Sequence, residues 1–147
     1  MTGRPLPLAI SRFAAPRDTN MKSTSLAGRS ILVCEDEPLI ALSIADAFTG
    51  VGARVVTARS FASALIAVEN EVPSAVILDH VRGDADSSQL CRRLRQRNIP
   101  YVLHSGYDML DGAGGGAVHV RKPANPDALV TAVLGLLRRR RTLHLNL

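Results

Sequence analysis

A chain of 147 residues suits one domain with its own core, and the two cysteines, Cys34 and Cys91, lie in apolar or helical patterns that exclude a disulfide framework. Hydrophobic residues make up 46% and aromatic residues only 3%, so the core must be aliphatic, as in an α/β or all-α domain. The net charge of +5 hides two regimes: residues 31–137 hold 9 Lys/Arg against 12 Asp/Glu, and the flanks hold 9 against 1. The basic isoelectric point is therefore no argument for nucleic-acid binding, which is not expected.

Residues 1–28 scatter Pro, Ser, Thr, Arg and Gly without periodicity and predict a disordered basic extension. Pro5, Pro7 and Pro16 interrupt any secretory signal, and the apolar run 129–137 is too short to cross a bilayer. Two free thiols then suggest a reducing, cytoplasmic setting. Order begins at Ser30-Ile-Leu-Val-Cys34, a strand running into Glu35-Asp36-Glu37, with Pro38 suited to the first position of a helix. Ile40, Ile44, Ala47 and Phe48 recur at helical spacing, and Gly50 and Gly52 stop that helix. A second strand covers residues 54–58. Ser60 caps the next helix, which turns Phe61, Leu65 and Val68 to one face.

The third strand, Val76-Ile-Leu78, is continuously apolar and ends on Asp79. Asp86 with Gln89 resembles a capping box opening a helix that buries Leu90, Cys91 and Leu94 and exposes Arg92, Arg93, Arg95 and Arg97. Residues 100–105 form the fourth strand and Val118–Val120 a short fifth. Five glycines between them argue against a stable helix there. Asn125-Pro126-Asp127 opens the last helix, with Val130, Val133, Leu134 and Leu137 inward and Arg138–Arg141 near its end. The domain thus spans 29–141, followed by a tail at 142–147.

Strands alternating with helices predict a parallel sheet covered on both faces. Every strand's carboxyl end then lies on one edge, which collects Glu35, Asp36 and Glu37, then Asp79, Ser105 and Lys122. Converging carboxylates need a cation, and hard oxygen donors suit Mg²⁺. A lysine and a hydroxyl beside it can contact phosphoryl oxygens, while a carboxylate can attack phosphorus to give an acyl phosphate.

From Ser30 to about Arg138 the chain resembles a response-regulator receiver domain. The likeness rests on Glu35-Asp36 after strand one, Asp79 ending Val76-Ile-Leu78, Ser105-Gly106-Tyr107, and Lys122-Pro123. It implies a flavodoxin-like (βα)5 doubly wound α/β fold with strand order 2-1-3-4-5, here with a shortened or missing fourth helix. It implies that Asp79 accepts the phosphoryl group, that Asp36 and Asp79 bind Mg²⁺ with Glu35 acting through water and the Val81 carbonyl completing the site, that Ser105 and Lys122 hold the phosphoryl group, and that the Lys122–Pro123 peptide is cis. The family's switch aromatic, three residues before the lysine, is His119 here. Leu103-His-Ser-Gly-Tyr107 is similar to the Phe-Ala-Thr-Gly-x-Tyr pattern of alphaproteobacterial single-domain stress receivers.

The expected function is that of a stand-alone phosphoacceptor in two-component signalling, not an enzyme. It takes phosphate from a sensor histidine kinase or phosphotransfer protein, dephosphorylates slowly, and acts by protein binding or as a phosphate sink, as a monomer or weak homodimer. The alternative is a pseudo-receiver adaptor indifferent to phosphate. An aspartate-nucleophile phosphatase is disfavoured, since Val81 stands where a second acid would protonate a leaving group. His80, His104 and His119 fall near the same edge, but alternation along β-strands directs His104 away from Ser105, so they are read as core and loop histidines rather than a metal site.

Overall fold

The structure, a computed structural model, describes residues 25–79, 85–105, 117–122 and 125–145. Along the chain these form β1 (Ser30–Cys34), α1 (Pro38–Gly50), β2 (Arg54–Ala58), α2 (Phe61–Asn70), β3 (Ala75–Asp79), α3 (Ala85–Gln96), β4 (Tyr101–Ser105), β5 (Ala117–Arg121) and α4 (Pro126–Leu145). All strand pairs are parallel and the sheet order is β2-β1-β3-β4-β5. This is the flavodoxin-like order expected. The Gly-rich stretch between β4 and β5 falls outside the described residues, and with it the shortened fourth helix.

Two aliphatic cores sandwich the sheet. Ile31, Val33, Ile77 and Val102 pack under α1 and α4 with Ile44, Phe48, Leu129 and Val133. On the other face Leu32, Val76, Leu78 and Leu103 meet Ala64 and Val68 of α2 and Leu90 and Leu94 of α3. Burial on both faces is why β1, β3 and β4 read as unbroken apolar runs. The edge strand β2 is largely exposed, which allows Arg54 and Thr57 within it.

Local chemistry fixes where the helices begin. Pro38 opens α1 after Glu37, whose side chain makes no cap bond. Ser60 and Ser63 cap α2 reciprocally, the Ser63 amide donating to Ser60 Oγ at 3.1 Å and the Ser60 amide to Ser63 Oγ at 3.2 Å. Helix α3 starts at Ala85, so Asp86 lies inside the first turn and not at the cap position that its spacing from Gln89 suggested.

Both ends of the domain are longer than composition indicates. Leu26 is buried in the α1–α4 core, its amide donates to the Val51 carbonyl at 2.7 Å, and the Arg29 amide returns to the Leu26 carbonyl at 2.9 Å. Gly28 closes this turn with φ +82. A single apolar residue in a polar stretch carries no periodicity, so the anchor was invisible to pattern. At the other end α4 continues to Leu145 through most of the expected tail. Ile40, expected inward on α1, is 40% exposed, and Ala41 takes the buried position.

Candidate functional site

The carboxyl edge gathers the predicted acids. Glu35 follows the buried β1 directly and is held there because its amide donates to the Ala58 carbonyl of β2 at 2.9 Å. Its side chain turns inward: Glu35 is 3% exposed, Oε2 accepts the Glu37 amide at 3.1 Å, and Oε1 has no partner among the described residues. Asp36 is exposed and Asp79 half-buried, and one oxygen from each of Glu35, Asp36 and Asp79 lies within 4.8 Å of the others.

Burial, with charge crowding behind it, shifts two groups at this edge. Burial above all pushes the Glu35 carboxyl up to about 7; Asp79 and Asp36 push the same way, against the Glu37 amide and Lys122. Cys34, beneath the cluster, has its thiol pushed up to about 12 by burial first and then by Asp79, Glu35 and Asp36. An inert core thiol follows from that. A buried carboxylate with an unsatisfied oxygen beside two more carboxylates fits a hard divalent cation. The donor set is all oxygen, which suits Mg²⁺ and not a thiolate- or imidazole-preferring metal.

Lys122, just past β5, spans the end of β4 to reach Asp79, Nζ to Oδ1 at 2.5 Å. Its backbone amide donates to the Ser105 carbonyl at 2.7 Å, which ties the lysine's position to the end of β4. Ser105 itself is fully buried at that strand end. Four strand ends thus bring Glu35, Asp36, Asp79, Ser105 and Lys122 together. The predicted Val81 carbonyl and the Lys122–Pro123 peptide extend beyond the described residues.

Comparison with known proteins gives this arrangement a family. A response regulator receiver protein from Sinorhizobium medicae superposes with a TM-score of 0.69 at 28% identity, covering 79% of this chain and 99% of that one. The domain is a response-regulator receiver. A CheY-like receiver domain protein from Methanospirillum hungatei has the same fold, with a TM-score of 0.68 at 23% identity over 78% of this chain and 97% of its own. Among curated proteins the transcriptional regulatory protein TcrA of Mycobacterium tuberculosis is 33% identical over 121 residues, 78% of this chain and 48% of its own. The probable transcriptional regulatory protein TcrX of the same organism is 29% identical over 117 residues, 75% of this chain and 50% of its own. The chain therefore spans about half the length of the curated relatives it matches. No protein-family model matches it.

Two histidines distinguish this receiver's interior. His119 lies opposite Leu103 in the β4–β5 register, half-buried, with Nε2 lacking a partner among the described residues. His104 lies opposite Asp79 in the β3–β4 register, 5% exposed, with neither ring nitrogen partnered among the described residues. Burial lowers its pKa, with Lys122 pushing the same way and Asp79 opposing. It shares the Val102 side of β4, as alternation predicts, and lines a cavity of about 350 Å³ with Leu39, Ile40, Ser43, Ile44, Lys122 and Pro126. Sequence reasoning had no signal for this cavity, because its wall comes from α1, β4 and the start of α4.

Proposed function

We propose that this receiver accepts a phosphoryl group on Asp79 with the help of a divalent cation and transmits or drains a two-component signal. The observation that carries the reading is the meeting of Asp79 with Glu35, Asp36 and Lys122 on one sheet edge. Glu35, Asp36 and Asp79 would hold Mg²⁺, which when bound would offset negative charge on the phosphoryl oxygens. Asp79 is the nucleophile: one carboxylate oxygen forms the bond to phosphorus as the bond from phosphorus to the donor nitrogen breaks and the donor imidazole leaves. Lys122 exchanges its Asp79 partner for a phosphoryl oxygen, and the Ser105 hydroxyl donates to another. Nothing in this scheme turns over a substrate, so the protein acts as a phosphoacceptor and not an enzyme, with slow return of phosphate to water.

The donor is a histidine kinase or phosphotransfer protein. Such a partner must present its histidine at the carboxyl edge, and the exposed Leu39 and Leu42 of α1 offer an apolar surface beside the carboxylates. A cytoplasmic setting belongs to the same proposal. Among the described residues no helix is long and apolar enough to cross a membrane.

The test is intact mass after incubation with Mg²⁺ and a small phosphodonor. One phosphoryl adduct is expected in the wild type and none in Asp79→Asn. Equal adducts in both proteins would overturn the assignment. Absence of an adduct, with Mg²⁺ bound and a kinase-driven reaction also negative, would favour a phosphate-independent adaptor, the reading that His119 in place of a switch aromatic supports.

A further inference from the structure

The sheet edge opposite the carboxylates collects arginine. β1 begins at Ser30 and β2 at Arg54, so Arg29 and Arg54 stand at this base. Helix α4 returns from the carboxyl edge with 20 residues, about 30 Å at ~1.5 Å per residue, whereas a five-residue strand covers only about 17 Å. The helix therefore runs past the base. Burial agrees: Leu136 and Leu137 are in the core, and Arg138, Arg139 and Arg140 are exposed. Leu26 belongs to the same core cluster as Leu136 and Leu137, so the chain enters the domain close to the arginine turn. Arg29 and Arg54 at the strand starts and Arg138–Arg140 at the end of α4 are thus brought to one pole.

Helix-end compensation does not account for this charge. A helix C-terminus presents about half a negative charge, which one guanidinium offsets. Nearby acids are largely engaged: Glu71 pairs with Arg54, and Glu69 with Arg93 and Arg97, which leaves Asp46 of α1 without an ion pair among the described residues.

We propose that this pole docks on the phosphodiester backbone of duplex nucleic acid. Its cations are all guanidinium groups, in a chain with sixteen arginines and two lysines, and guanidinium matches phosphate oxygens in a bidentate fork. A protein interface needs apolar anchors at its centre; the exposed Leu39, Ile40 and Leu42 lie in the half of α1 nearer the carboxylates, and among the described residues Val72, between α2 and β3, is the one large apolar side chain exposed beside the strand starts. Single strands need aromatic stacking platforms, and of the aromatic side chains among the described residues Phe48 and Tyr101 are fully buried and Phe61 packs against the α2–α3 core. Because the pole lies across the sheet from Asp79, docking there leaves the phosphoryl site open, and the inference stands or falls separately from Asp79 chemistry.

The test is fluorescence anisotropy of a labelled duplex of arbitrary sequence titrated with the full chain over a KCl series. Affinity should fall log-linearly with salt and depend little on sequence. Arg139→Ala should weaken binding several-fold and lower the steepness of the salt dependence by about 0.9 for each phosphate no longer neutralised. Arg92→Ala, an equal loss of charge on α3, should leave both nearly unchanged. Circular dichroism and acyl phosphate formation should be unaffected in either variant. Equal losses from the two variants would reduce the attraction to diffuse charge and overturn the proposal. So would binding to anionic phospholipid vesicles or a polyglutamate peptide with no binding to the duplex.

Discussion

Glu35 carries the sharpest physical tension among the site residues. It is ordered by its own backbone bond to β2 and by the Glu37 amide, yet one oxygen is buried without a partner among the described residues, beside two other carboxylates. Its carboxyl titrates near 4.5 in the unfolded chain and near 7 when folded, chiefly because of burial. Below about 4.5 the proton is bound in both states. Between these values the folded chain keeps a proton that the unfolded chain has released, so this residue's contribution to stability falls as pH rises and levels off above about 7. Glu35→Gln should therefore stabilise the cation-free protein at pH 8 by on the order of 2 kcal/mol, read as a higher urea midpoint, with little change at pH 4.5. The same substitution should weaken Mg²⁺ affinity, and Mg²⁺ binding to the wild type near pH 6.5 should release protons, measurable by calorimetry in buffers of different ionisation enthalpy. A midpoint at pH 8 no higher than wild type would remove the tension from Glu35. Much of this site was legible beforehand, since a carboxylate at the end of a buried strand is visible in Val76–Asp79 and the parallel topology carries it to Glu35, Asp36 and Lys122. The ring nitrogens without a partner among the described residues, both of His104 and Nε2 of His119, were not legible. Period-two alternation gives the side of a strand on which a residue lies, but not which neighbours from distant elements leave its nitrogens unpaired.

Among the elements, β-strands and helices were readable where apolar periodicity is strong, and the ends were not. The turn at residues 25–28 illustrates why. Leu26 docks against α1 through one side chain and one hydrogen bond to Val51, and the docking needs a bare Cα opposite it. Gly52, with φ +97, provides that: a Cβ there would come within 3.2 Å of the Ala27 backbone nitrogen. Leu26→Ala should cost about 2–4 kcal/mol, the range for emptying a buried leucine site. Gly52→Ala should cost more than the ~1 kcal/mol of an unfavourable φ alone, because it also displaces the segment. Chemical denaturation of the two single variants and the double variant checks this. If the turn and Gly52 act as one unit, their effects will fall short of additive; full additivity would separate them.

At the scale of the whole molecule, the parallel winding carries acids to the ends of β1 and β3 and arginines to the starts of β1 and β2 and the end of α4. The winding also sets an order in time. Glu35, Asp36 and Asp79 lie on neighbouring strands β1 and β3, whereas the ammonium that reaches Asp79 arrives 43 residues later, from beyond the edge strand. At about 5–20 residues per second, a nascent chain carries all three carboxylates for roughly several seconds before Lys122 is made. A divalent cation held by the three carboxylates, as proposed above, would supply a counter-charge for β1 and β3 to close on each other independently of Lys122. Refolding from urea should then be faster in millimolar Mg²⁺ than in chelator, and Asp79→Asn, which removes one charge of the three, should narrow the difference. Equal rates in the wild type with and without the cation would mean that the strands close without it.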